Sequence, residues 1–147
     1  MRTKSVIGLL CVAVVLVWTG VADVQAAPAT PKIQLPNGEK VWDLNGDWEA
    51  LIENFGPWEQ FGTYPNVYRI TQTGSTFSAI RLKDNPPPSP NRARSPSLRG
   101  EVEKNGFKEV YIVAGGAPIL CKGQISEDGK KMVIEMEATA RVTLTRP

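Results

Sequence analysis

The sequence contains no histidine at all. That removes the commonest general base at neutral pH, the serine and cysteine hydrolase arrangements built on it, and the usual zinc and copper sites. Net charge is nearly absent too. With 17 basic and 15 acidic side chains the balance is +2, too little for the electrostatic footprint of a nucleic-acid-binding protein. Cysteine is scarce, at two residues, and no Asn-x-Ser/Thr triplet offers a glycosylation site. What is plentiful is Gly and Pro, 13 and 12 residues in a chain of 147, a proportion that suits strands joined by turns, in a length that suits one domain.

The first residues carry an export signal. Arg2 and Lys4 precede an apolar run, Val6–Val17, and Val24-Gln25-Ala26 places short side chains where a signal peptidase accommodates them, so cleavage is expected after Ala26. The rival is an uncleaved anchor, since Ser5–Ala22 is 18 uncharged residues, just long enough to span a bilayer; Asp23 and the short-residue site favour cleavage. A lipid-modified cysteine is excluded because Leu10, not a small residue, precedes Cys11. The expected organisation is a signal peptide over 1–26, an extended N-terminal arm over 27–43 and a β-barrel domain over 44–147, in a periplasmic or extracellular protein with no stable membrane span once cut. Cys11 leaves with the signal, so Cys121 stays as a lone thiol. It falls on the apolar parity of Ile119–Ile125, which predicts a buried, inert side chain.

Two stretches lack periodicity. Ala27–Asn37 has three prolines and reads as an extended, mobile arm. Asp84–Pro96 (DNPPPSPNRARSP) has five prolines and two arginines and reads as a polyproline-like or disordered solvated loop, with a lid or docking arm as the alternative. Elsewhere alternation of period two dominates. It predicts strands at Asp47–Glu53, Asn66–Thr73, Thr76–Leu82, Ser97–Glu103, Phe107–Ala114, Ile119–Ile125, Lys131–Glu137 and Ala140–Arg146, joined mostly by short turns such as Asn105-Gly106. The inward set is expected to be Trp48, Ala50, Ile52, Leu98, Val102, Ile119, Cys121, Ile125, Met132, Ile134, Met136, Val142 and Leu144; in Asn66–Leu82 and Phe107–Ala114 both faces are mixed.

Eight successive antiparallel strands with one apolar face each can close into an up-and-down barrel or split into a β-sandwich. A sandwich needs long crossings, and only Asp84–Pro96 is long enough for one, so the all-β, eight-stranded antiparallel barrel is the expected fold. Leu44-Asn45-Gly46-Asp47-Trp48 resembles the Gly-x-Trp motif that opens lipocalins and, more loosely, avidin-like and other calycin barrels. The resemblance implies that a basic residue from the end of the last strand packs across the tryptophan and closes one barrel end. Arg146 shares parity with Val142 and Leu144 and stands where that residue is needed, so Trp48 and Arg146 are expected to stack. Other lipocalin motifs, a disulfide and a C-terminal helix are missing from the sequence.

Residues for chemistry are few. The carboxylate pairs Glu49/Glu53, Glu101/Glu103 and Glu135/Glu137 take the parity opposite to the apolar set and belong to the solvent face. Ser75, Ser78 and Ser126 have no base, Lys122 is expected outside, and no clustered loop carboxylates suggest a metal. The expectation is a non-catalytic protein without cofactor or metal. Aromatics carry the remaining signal: Asn54–Pro65 holds Phe55, Trp58, Phe61 and Tyr64 between the first two strands, over the barrel mouth, while Trp42 is placed at the closed end. Trp58, Phe61, Tyr64 and Tyr68 are the candidate ligand contacts, with a plug of the mouth as the alternative role. Small inward residues (Ala50, Gly100, Cys121, Gly123) would leave space and Met132 and Met136 would adapt to a guest. The expected function is binding of a small apolar molecule. The alternatives are a protein-directed inhibitor acting through the arm, as the resemblance to metalloprotease inhibitors of calycin architecture implies, or a structural envelope protein.

Overall fold

Alternation closes the sheet. In a computed structural model, which describes residues 30–147, eight antiparallel strands form one closed barrel. The expected signal peptide at 1–26 lies outside the described residues. A short hairpin comes first, β1 (Lys32–Gln34) with β2 (Lys40–Trp42). The barrel follows as β3 (Gly46–Asn54), β4 (Thr63–Thr73), β5 (Thr76–Arg81), β6 (Pro96–Glu103), β7 (Gly106–Ala114), β8 (Ala117–Ile125), β9 (Lys131–Met136) and β10 (Ala140–Thr145). Each strand pairs with the next, and β10 returns to pair with β3, Leu144 opposite Ala50 and Val142 opposite Ile52. Closure removes both sheet edges.

The inward parity is the expected one. Trp48, Leu98, Ile134 and Leu144 are fully buried, and Lys122 and Glu135 are exposed. Ile119, Cys121 and Ile125 are only partly covered, as no residue of β8 is fully buried, yet all three pack on the core. The mixed faces have a physical cause. In β7 one extra residue, Lys108, bulges out, since Glu101 faces Glu109 while Val102 faces Phe107; Phe107 and Val110 both turn inward and strict alternation is lost. In β4 and β5 the inward positions are partly polar: Asn66, Gln72 and Arg81 are buried beside Tyr68, Ile70 and Phe77.

Two expectations fail. The segment expected as an extended arm is, over its described part, the β1–β2 hairpin laid across the closed end. Val41 and Trp42 are buried there, and the Gln72 side chain fastens it by donating to the Trp42 carbonyl at 3.1 Å and accepting from Leu44 N–H at 2.6 Å. The arm gained apolar surface to bury, which its proline content obscured. Likewise, Gly100 and Gly123 do not open space. At Gly100 a Cβ would run into the Glu109 carbonyl and the Phe77 ring, and at Gly123 into Phe107 and Val110. The two aromatic rings, 5.6 Å apart, fill the volume those glycines leave. Met132 and Met136 are buried in the same core.

Candidate functional site

The two ends of the barrel differ. At the closed end Trp48 donates from Nε1 to the Leu44 carbonyl at 2.9 Å, and the Arg146 guanidinium lies 4.7 Å above its ring centroid. Arg146 also donates to the Asp43 carbonyl, which ties the last strand to the start of the barrel. Trp42 lies beside it, under Lys32 Nζ at 4.1 Å and against Gly129, where a Cβ would collide with the indole.

At the other end the barrel holds a half-open cavity of about 330 Å³. Its interior wall is aliphatic, made by Ile52, Ile112, Ile119, Ala140 and Val142. The four aromatic residues singled out from the sequence, Trp58, Phe61, Tyr64 and Tyr68, all stand in its lining. Phe55, from the same aromatic-rich stretch, is exposed and outside it. Gly56–Phe61 forms a short 3₁₀ turn started by Pro57, a residue pre-set for a helical first position. The turn carries Trp58 and Phe61 over the mouth in an edge-to-face pair, 6.2 Å between centroids. Tyr64 and Tyr68 are on β4 itself, which starts earlier than the alternation indicated. Burial pushes the Tyr68 hydroxyl up to about 12, partly offset by the nearby Arg81 charge, and burial raises Tyr64 in the same direction.

The polar side of the cavity was not legible as a site. Arg81, Asn85, Ser89 and Asn91 line it, three of them from the proline-rich loop. That loop is a folded cover, not a solvated tether. Asn85 N–H donates to the Asn91 carbonyl at 3.1 Å, Arg94 N–H to the Arg81 carbonyl at 2.7 Å, and Ala93 N–H to Asp84 Oδ1 at 2.7 Å. Asn66, buried in β4, anchors it by donating to Asn85 Oδ1 at 3.1 Å and to the Lys83 carbonyl at 3.2 Å. Asn85 in turn donates to Ser89 Oγ at 3.4 Å. Five prolines stiffen a chain that needs few residues' worth of entropy to be fixed. The signal that would have found these residues is the run of Asn and Ser interleaved with the prolines, since both make local side-chain turns.

Arg81 follows Phe77 and Ala79 in inward parity, directly opposite Tyr68, and is 3% exposed. The register shift after Ala79 sets Ser97 as an extra residue in β6, so that Ser97 and Leu98 are both buried next to this end of β5. Arg81 Nη2 donates to the Pro96 carbonyl at 3.1 Å; Nε and Nη1 have no partner among the described residues.

The carboxylates are elsewhere. Glu135 accepts from Arg141 Nε at 2.8 Å and Glu101 pairs with Lys108 at 3.1 Å, both on the outer surface, and Glu49, Glu103 and Glu137 are exposed. Among the described residues no three His, Cys, Asp or Glu side chains stand together to hold a metal. Cys121 is a free thiol donating to the Ile119 carbonyl at 3.2 Å, and burial pushes its ionisation up, away from the reactive thiolate. Comparison with family models, with curated proteins and with solved structures returns no match.

Proposed function

We propose that this chain is an exported, non-catalytic binding barrel that takes a small, largely apolar ligand into the cavity at its mouth. The observation that carries the reading is a cavity of about 330 Å³ with an aliphatic floor and an aromatic rim. Small-molecule sites usually fall at roughly 300–1,000 Å³, apolar with a few placed polar groups. The volume behind the aromatic rim supports this reading over a plug, since it leaves room for a guest beside the rings. An inhibitor acting through a free arm has less to stand on, since Lys32–Trp42 is folded against the opposite end.

Two tryptophan variants test the proposal. Trp58→Ala removes a half-buried rim residue, so it is expected to weaken binding of an environment-sensitive apolar dye about tenfold or more while the melting temperature stays near wild type. Trp48→Ala removes a fully buried core residue and is expected to cost roughly 3–5 kcal/mol of stability. If Trp58→Ala melts far below wild type and no apolar dye binds either protein, the aromatics are a plug and the binding role is lost.

A further inference from the structure

A buried cation in the wall of an apolar cavity needs an anion, and the barrel does not supply one. Arg81 is nine-tenths covered and more, yet no carboxylate pairs with it among the described residues. Its guanidinium gives one hydrogen bond to the backbone, from Nη2 to the Pro96 carbonyl, and has the Tyr68 hydroxyl beside it; Nε and Nη1 are left without acceptors. An ionised group withdrawn from water without a counter-charge is among the most costly things a fold can hold, and arginine does not escape by losing its proton.

The other buried polar groups at this end are satisfied. Asn66 makes bonds from both ends of its amide, and Asn85 bonds to Asn66 and Ser89. Arg146, at the closed end, also has an unpaired Nε, but its charge rests on the Trp48 ring and it donates to the Asp43 carbonyl. Arg81 has no such face beneath it. It has the cavity instead.

We propose that the ligand is an amphipathic monocarboxylate, its head group paired with Arg81 and its hydrocarbon body laid against Ile112, Ile119 and Val142. The inference rests on the binding-barrel reading and names the substrate class of the same site. Charge count sets the valence. Arg81 is the one charged residue in the cavity lining, so a dianion such as a phosphate monoester would carry an uncompensated charge into the same apolar space. The Tyr68 hydroxyl, cross-strand from Arg81 and held protonated by burial, is a second donor for the same head group. Size sets the body. At roughly 30 Å³ per water-sized group, the cavity takes about ten non-hydrogen atoms.

The test is calorimetric titration of the full chain at neutral pH with sodium octanoate and with 1-octanol, a pair with the same tail and different heads. Octanoate is expected to bind about tenfold or more tighter than octanol, the usual reward for a hydrogen-bonded charge. Arg81→Met, with Arg81→Gln beside it, is expected to erase that preference, octanoate binding no tighter than octanol to the same variant; Tyr68→Phe should reduce the preference a few-fold. If octanol binds and octanoate binds no better, the carboxylate proposal is overturned and the apolar-ligand reading stands. If the arginine variants keep the preference for the acid, the assignment to Arg81 is overturned. If neither compound binds, both readings fall together.

Discussion

Trp48 and Trp58 lie at opposite ends of one barrel, and different surroundings hold them. Trp48 is fully buried, hydrogen-bonded through its ring nitrogen and covered by Arg146, whereas Trp58 is only partly buried on a 3₁₀ turn, edge-on to Phe61 and packed against the margin of the core. The residue scale also yields a pH prediction. Tyr68 is raised to about 12 in the folded protein, chiefly by burial, against an ordinary value of 10.0. Below pH 10 both states keep the proton and Tyr68 costs nothing. As the pH rises from 10 towards 12 the unfolded chain ionises first, so stability falls across that window by an amount on the order of 3 kcal/mol. Ultraviolet titration of the tyrosinate absorbance is expected to show Tyr68 ionising last of the three tyrosines, together with unfolding, and Tyr68→Phe should flatten the alkaline loss of stability. A Tyr68 that titrated with the exposed residues would mean that its hydroxyl reaches water.

At the scale of elements, alternation was legible wherever one face of a strand is wholly apolar. Asp47–Glu53, Lys131–Glu137 and Ala140–Arg146 could be read to within a residue or two because nothing polar turns inward there before Arg146 at the closed end. β4, β5 and β7 could not be assigned a face. Asn66, Gln72 and Arg81 occupy inward positions for anchoring and for the cavity, and the Lys108 bulge shifts the parity of β7 midway. The aromatic half of the site was legible because four large rings near one loop have few other uses. Its polar half was not, because Arg81 has the sequence appearance of an ordinary strand-end cation, and Asn85 and Ser89 sit among prolines that read as solvated. The cover formed by Asp84–Ser95 is therefore the element most in need of a test. Asn85→Ala removes its bonds to Asn66 and Ser89 and is expected to cost about 1–2 kcal/mol locally. Limited trypsin digestion should then cut after Arg92 or Arg94 markedly faster than in the wild type, with the barrel left intact. Equal cleavage rates would show that the loop is held without the Asn85 side chain.

For the whole molecule, closure of eight strands makes the barrel, and the β1–β2 hairpin seals one end of it. The barrel was foreseeable from strand count and turn length. The seal was not, since three residues per strand are too few for a periodic signal. Deleting residues 30–42 removes the buried Val41 and Trp42, which at ~1.5–3 kcal/mol for each large apolar side chain should lower stability by roughly 3–5 kcal/mol. The midpoint of chemical denaturation measures it, and dye binding at the mouth should be unaffected at temperatures where the shortened barrel remains folded. The same seal fixes the direction in which the molecule can be held. The chain enters the described fold at Thr30, bonded to the Asp128 carbonyl, and leaves it at Arg146, bonded to the Lys130 carbonyl, two points within three residues of each other before β9. Both handles therefore emerge from the sealed base, so the barrel can be tethered to a surface by either end of its described fold like a cup set on its foot, with the rim turned towards the surrounding solution.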